Sequence, residues 1–303
     1  MSQILNFLED GFLSVSDIHK IHYMTFGNRQ GIPLINFHGG PGSGTTVKIA
    51  EAIDQNKYYI ILFDQRGCGQ SVPLGEIQDN NTDVLIQDAN KLLKHLGVDR
   101  VVVSGGSWGS ALAIKYAEMF PNTVLGLFVY AVCLFRPEDV LWYVKNAGML
   151  FPKELDLLYE STKTTDYRCF FQNYESVSNP EKVNIATVFL NYAATIGKGL
   201  AEARYIDPTK LTDDDLLSMR IFLYYLSNNY FVKQNDIFKN LKKIKNIPTT
   251  IIHGKLDYSC PVNGAYTLAN TLSNVDVCIL ETLGHFNPEL REAFFVKLNN
   301  FKI

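Results

Sequence analysis

"VVVSGGSWGSALAIKYAEMF", residues 101–120, decides the fold. A β-branched run climbs to a serine hemmed by glycines, and a helical pattern follows at once. Residues 105–109, "GGSWG", fit G-x-S-x-G in the context that pattern requires, strand before and helix after. Gly105 and Gly109 matter because a sharp elbow imposes unusual dihedrals and crowds the strand against the helix. Two readings are open. Strand-to-helix turns need small residues anyway, so the corner can be purely structural. The flanking elements favour the other reading, in which the corner exposes Ser107 as a nucleophile. The backbone N–H of Trp108, at the helix N-terminus, can then donate to a developing oxyanion.

Outward from this corner the chain alternates strands with helices. "PLINFH" (33–38), "YYIILF" (58–63), "RVVVSG" (100–105), "VLGLFVY" (124–130), "TTIIHG" (249–254) and "VDVCIL" (275–280) are apolar runs of buried-strand type. A helical-looking stretch lies between the first two. Residues 82–96 place Leu85, Ala89, Leu92 and Leu96 on one helical face, with Asn81 or Thr82 to cap the start and Gly97 the end. "GFLSV" and "KIHYMTFG" flank Ser16, Asp17 and Ile18 and predict a hairpin. The pattern predicts an α/β fold with a mostly parallel sheet covered on both faces.

From Phe135 to Asn235 the rhythm stops: helical patterns continue without a strand, and 17 of the chain's 37 aromatics fall there. The expected organisation is an α/β core from 1–134 and 236–303, with 135–235 inserted as a helical cap. So many aromatics suit a roof over an apolar cavity; the alternative is that a small helical subdomain uses them for its own core.

The chain has 303 residues, 47% hydrophobic and 19% charged, with a formal net charge of −3. It is long enough for a large core, and no basic patch points to nucleic acid. The start has no basic n-region, and no apolar run approaches the ~20 residues of a membrane span. The five cysteines are scattered, without metal-ligand spacing, which suits reduced thiols in a cytoplasm.

A serine nucleophile needs a base, and only two of the six histidines follow Ser107. His253 ends a strand and reads as a satisfied core group. His285, in "LGHFNPE", follows the last strand in a loop able to point back over the sheet edge, and is the expected base. Asp257, in "HGKLDYSCP", is the expected orienting acid; Asp276 sits inside a strand. The glycine-rich "FHGGPG" (37–42) lets backbone N–H groups approach a substrate oxygen. Gly40 is the expected second oxyanion donor, with Gly39 next, and His38 the brace of this loop.

Together "HGGPG" (38–42), "DQRGCGQS" (64–71), "GGSWGS" (105–110), "HGKLDYSCP" (253–261) and "LGH" (283–285) resemble the prolyl aminopeptidases, or proline iminopeptidases, of the α/β-hydrolase superfamily. The motifs come in family order and span most of the chain. The resemblance implies the same Ser107, His285 and Asp257, oxyanion donors at Gly40 and Trp108, and a helical cap. Within "DQRGCGQS", Asp64 and Arg66 are expected to brace one another and the neighbouring loop. Cys68 and Cys260 lie near the expected site as non-catalytic thiols.

The cap departs from the family pattern. That family recognises a substrate's free N-terminal amine with two cap glutamates. One lies in a string like W-S-x-W-E, answered here by "FLNYA" (189–193), where Ala193 stands for the acid. The other lies in a string like E-N-H-Y-F, answered by "SNNYF" (227–231), where Ser227 does. An ammonium buried without such partners costs several kcal/mol. Glu138, Glu175, Glu202, Asp207 and Asp213 to Asp215 are alternative cap acids, although the last three also suit a helix start.

The expected protein is thus a serine hydrolase without metal or organic cofactor. It acts on a small molecule or short peptide, with an apolar acyl part under Phe189, Tyr192, Tyr230 and Phe231. A neutral ester, thioester or acyl-transfer substrate is the rival within the enzyme class, and a non-catalytic ligand-binding shell the rival outside it.

Overall fold

The computed structural model describes residues 5–198, 205–232 and 236–302. β1 (Phe7–Ser14) and β2 (Lys20–Gly27) form the antiparallel hairpin, closed by Val15 N–H donating to the His19 carbonyl at 3.0 Å. β3 (Ile32–Phe37), α1 (Lys48–Ala52), β4 (Tyr58–Phe63) and α2 (Thr82–His95) follow. The helical stretch expected between β3 and β4 is only the five residues of α1. Asn81, rather than Thr82, caps α2 by accepting from Val84 N–H at 3.1 Å. Thr82 instead donates its hydroxyl to the Tyr230 carbonyl, tying α2 to the helical layer above.

β5 (Val101–Gly106), α3 (Trp108–Met119) and β6 (Val124–Tyr130) complete the first half. Between β6 and β7 come α4 (Pro137–Val144), α5 (Pro152–Thr162), α6 (Phe170–Ser176), α7 (Asn179–Lys198), α8 (Asp213–Ser227) and α9 (Asp236–Ile244), with no strand among the described residues. β7 (Thr249–Gly254), α10 (Asn263–Thr271), β8 (Val275–Leu280) and α11 (Pro288–Asn299) close the chain.

The eight strands form one sheet in the order β1-β2-β4-β3-β5-β6-β7-β8. β1 and β2 are antiparallel to their neighbours, and β3 to β8 all run parallel. β4 and β5 are buried at every position because both faces are covered. Successive side chains alternate faces, so neighbours in sequence feed different cores. Ile35, Ile61, Val103, Leu127 and Ile251 enter one core. Leu34, Ile60, Val102, Phe128 and Ile252 enter the other, with α11's Leu290, Phe294 and Leu298. The loops after β3, β5, β7 and β8 therefore gather at one edge of the sheet, where open α/β sheets hold ligands. No helix among the described residues is long and apolar enough to cross a membrane.

Candidate active site

Ser107 stands between β5 and α3 with φ 54° and ψ −127°, a conformation that costs a non-glycine residue about 1–3 kcal/mol and is held only by what surrounds it. A Cβ added to Gly105 would lie 2.2 Å from the Gly109 carbonyl oxygen, and one on Gly109 would lie 2.1 Å from that of Phe37. Gly106 is equally constrained, since its Cβ would meet the Tyr130 ring at 2.1 Å. Hydrogen bonds lock the corner: Ser107 N–H donates to the Tyr130 carbonyl at 3.1 Å. The Ser107 carbonyl accepts from Ser110, from its N–H at 2.9 Å and its hydroxyl at 2.6 Å.

The loops after β7 and β8 bring Asp257 and His285 to this corner. His285 Nε2 lies 3.1 Å from Ser107 Oγ, and its Nδ1 lies 2.7 Å from Asp257 Oδ2. Asp257 is buried, and its Oδ1 accepts from Ser259 N–H at 2.9 Å and Cys260 N–H at 2.7 Å. With Nδ1–H donating to the carboxylate, Nε2 is left to accept the serine proton. In this arrangement Ser107 can act as nucleophile and His285 as the base that takes its proton, while Asp257 orients the imidazole.

His253 lies in the core as expected. It accepts at Nδ1 from Val132 N–H (2.9 Å) and donates from Nε2 to the Cys260 carbonyl (2.8 Å), while burial holds its pKa below the usual histidine value.

The loop after β3 covers the other side of Ser107. Gly40 has φ +117°, and a Cβ on Gly39 would sit 3.8 Å from Ser107 Cβ, so this backbone passes directly beside the serine. Trp108 begins α3, so its N–H is among the first-turn donors without an acceptor in the helix. His38 donates from Nδ1 to the Gly39 carbonyl at 2.8 Å and accepts at Nε2 from Gln65 N–H at 3.0 Å; burial lowers its pKa. The Gln65 amide donates to the His38 carbonyl at 2.9 Å and accepts from the Trp108 indole at 2.8 Å. Gln65 thus clamps the glycine loop to the elbow. The sequence reading missed it, although it lies inside the quoted "DQRGCGQS".

The expected pairing of Asp64 with Arg66 is not formed. Asp64 accepts from Thr45 N–H (2.6 Å) and Gln70 N–H (3.0 Å) and meets His22 Nδ1 at 2.9 Å. Arg66 forks onto Asp88 of α2 at 2.5 and 2.9 Å. The tight turn sends the two side chains to different neighbours, each already supplying a counter-group.

A cavity of about 750 Å³ opens over Ser107 and His285. Phe189, Ala193 and Tyr230 line it, together with Phe135, Tyr143 and Phe222. Three other expected cap contacts are corrected: Tyr192, Ser227 and Phe231 do not line it. The Tyr192 hydroxyl donates to the Tyr143 carbonyl at 2.5 Å. Ser227 Oγ accepts from Phe171 N–H at 3.1 Å and donates to the Tyr167 carbonyl at 2.9 Å. Phe231 packs against Tyr224 and Tyr225 instead. Asn229, Tyr230 and Phe231 all have positive φ (50°, 55° and 53°), and this turn aims Tyr230 at Trp108 and Phe135 while Phe231 faces elsewhere.

Among the acids considered, Asp215 borders the cavity, with Oδ2 held by Thr212 N–H at 2.9 Å and the Thr212 hydroxyl at 2.8 Å. Glu138 faces Arg136 at 3.3 Å, Glu175 binds Arg220 at 2.9 Å, and Asp207 accepts from Thr209. Glu202 lies outside the described residues. Asp139, which was not singled out, lines the cavity but is clasped by Arg136 at 2.9 and 2.5 Å.

All five cysteines are free thiols. Burial pushes Cys68 up to about 12, and Cys68 does not line the cavity. Cys260 and Cys133 do line it; their mutual hydrogen bond and burial raise the Cys260 pKa well above the usual thiol value. Among the described residues the one group with metal-ligand proximity is Asp257, Cys260 and His285, within 4.8 Å. There the thiol is held protonated, and Asp257 is already committed to His285 and two backbone N–H groups.

A serine, a histidine and an aspartate on loops at the carboxyl edge of a mostly parallel sheet, beneath a helical roof, define the α/β-hydrolase class. The family described as alpha/beta hydrolase fold matches residues 32–292. A probable proline iminopeptidase of Leptolyngbya boryana is 33% identical, over 91% of this chain and 88% of the relative. A proline iminopeptidase of Xylella fastidiosa is 31% identical, over 97% and 96%. Among solved structures, an α/β hydrolase enzyme from a deep-sea metagenome library superposes with a TM-score of 0.65 at 18% identity, covering 97% of this chain and 98% of the other. A proline iminopeptidase-related protein of Thermus thermophilus does so with a TM-score of 0.58 at 19% identity, covering 96% of each. The chain belongs to the prolyl aminopeptidase, or proline iminopeptidase, family of α/β hydrolases.

Proposed function

We propose that this protein is a serine hydrolase that cleaves a small apolar amide, an N-terminal prolyl substrate among them, through an acyl-enzyme. The observation that carries the reading is the relay of Ser107, His285 and Asp257, with contacts of 3.1 and 2.7 Å. Ser107 attacks the carbonyl while His285 takes the hydroxyl proton and returns it to the leaving group. Asp257 keeps the imidazole oriented, and the N–H groups of Gly40 and Trp108 receive the oxyanion. Water then cleaves the ester on Ser107. No step calls on a metal or organic cofactor, and the free thiols suit a cytoplasmic enzyme.

Phe189, Tyr143 and Phe222 give the acyl part an apolar pocket. One feature favours a second reading, a neutral ester, thioester or acyl-transfer substrate: Ala193 lines the cavity at the position matched to a family glutamate that binds the substrate amine. Prolyl-arylamide and aryl esters of short apolar acids, assayed side by side, separate the two. Prolyl-arylamide turnover with a burst of arylamine supports the first; ester turnover alone supports the second. A folded protein that turns over neither class contradicts both.

A further inference from the structure

We propose that Arg291 and Tyr130 form a carboxylate subsite for the leaving part of the substrate, on the reading that the cavity over Ser107 is where substrate binds. Both residues line that cavity. Their wall is not the cap's. Tyr130 and Ile49 pack against the core formed with α11, whereas Tyr143, Phe189 and Phe222 belong to the core on the opposite face of the sheet. The cavity therefore has one wall from the helices between β6 and β7 and another from the α11 side.

Charge singles out Arg291 among the groups that line the cavity. Asp139 is clasped by Arg136, and Asp215 is held by Thr212. The Arg291 guanidinium has no hydrogen-bond or ion-pair partner among the described residues, and neither has the Tyr130 hydroxyl. The two share the α11 side of the cavity. The Tyr130 ring is fixed against Phe294, one turn beyond Arg291, with centroids 4.7 Å apart. Burial keeps the phenol protonated, so it serves as a donor, and the guanidinium acts on it electrostatically. A forked guanidinium plus one O–H matches the two oxygens of a carboxylate. The positive end of the α11 dipole lies alongside and has the same sign.

Direction follows from the two walls: the aromatic groups proposed to hold the acyl part, Phe189, Tyr143 and Phe222, stand on one side of the cavity, and Tyr130 and α11, which carries Arg291, stand on the other. The carboxylate is therefore placed on the leaving portion: the free C-terminus of a short peptide, or an acid-bearing leaving group.

The test uses matched aryl esters and arylamides with one acyl part, whose leaving group carries either a carboxylate or the isosteric carboxamide. The ratio of kcat/KM, acid over carboxamide, is expected to be about ten or more in the wild type, the value of one charge-assisted hydrogen bond. It is expected to fall to about one in Arg291→Gln, chiefly through KM, and to recover partly in Arg291→Lys. Tyr130→Phe lowers it less, and added salt lowers it in the wild type alone. A wild-type ratio of one or below, or a ratio that survives in Arg291→Gln, overturns the subsite. If neither member of the pair is turned over, it is the hydrolase reading that fails, and benzoate then tests the subsite by itself. A benzoate-dependent rise in Tm, present in the wild type and lost in Arg291→Gln, supports it, and no rise in the wild type overturns it.

Discussion

The sheet body and the helices between β6 and β7, read here as a cap, both line the cavity over Ser107, yet they are built on different terms. In the body, backbone geometry dictates residue type. The glycines at 105, 106 and 109 each face an atom within 2.2 Å of where a Cβ would stand, so the elbow tolerates nothing else. In the cap, hydrophobic packing sets positions: the rings of Phe189, Tyr143 and Phe222 pack around the cavity with centroids 5.1 to 6.3 Å apart. On the proposed function, the reacting groups belong to the body and the acyl contacts to the cap, as expected where a scaffold's loops and insertions carry function.

The comparison breaks most sharply at the relay. Ser107→Ala is expected to lower kcat by about 10⁴-fold or more, and Asp257→Asn by about 10⁴-fold through loss of the correct imidazole tautomer. Burst-phase kinetics on whichever substrate is turned over checks both. A variant retaining a tenth of the activity would detach that residue from the mechanism.

Next comes the brace beneath it. Gln65→Leu removes the contacts to the His38 carbonyl and the Trp108 indole, and so frees the glycine loop from the elbow. A misplacement of this kind is expected to lower kcat by about 10²-fold with a smaller change in KM. An unchanged kcat would show that the loop holds its position without the clamp.

On the cap side the expected effects are smaller and concern stability. Ser227→Glu breaks the contacts to Phe171 N–H and the Tyr167 carbonyl and places a carboxylate among aromatic rings. It is expected to cost about 2–3 kcal/mol in denaturant unfolding without creating prolyl peptidase activity. Strong peptidase activity in that variant would show that position 227 faces the substrate after all.

The smallest effect is in pH. Burial holds the His38 and His253 pKa values below the ordinary histidine value of roughly 6.5. The unfolded chain therefore binds these protons first. Their contribution to stability is complete above roughly pH 6.5 and is lost as pH falls from there through the folded values. Urea unfolding at pH 8 and pH 5.5 checks this. The difference between the two is expected to shrink in His253→Gln, and an unchanged difference would remove His253 from the account.

How much of this was legible follows the same division. The strands were readable because residues such as Leu34 and Ile35, or Val102 and Val103, must both be apolar when each face of the sheet is covered. The elbow was readable because its glycines have a steric cause. Ser227 and Phe231 were misplaced because string similarity does not carry direction. Three consecutive positive φ values at 229–231 decide which ring enters the cavity, and Asn, Tyr and Phe do not announce such a turn. Asp64 and Arg66 were paired because opposite charges two residues apart invite it; the partners that won, His22 and Asp88, lie 42 and 22 residues away along the chain. Arg291 gave no signal, being one exposed arginine on a helix, and only the cavity beside it gives it meaning.

The central claim is that the Ser107 hydroxyl is activated in place by His285. The most direct measurement is mass spectrometry of the folded protein after brief exposure to a fluorophosphonate. The account predicts one adduct, on the peptide containing Ser107, absent in Ser107→Ala and strongly slowed in His285→Ala. A folded wild-type protein that stays unmodified, or an adduct formed at the same rate without His285, would contradict it.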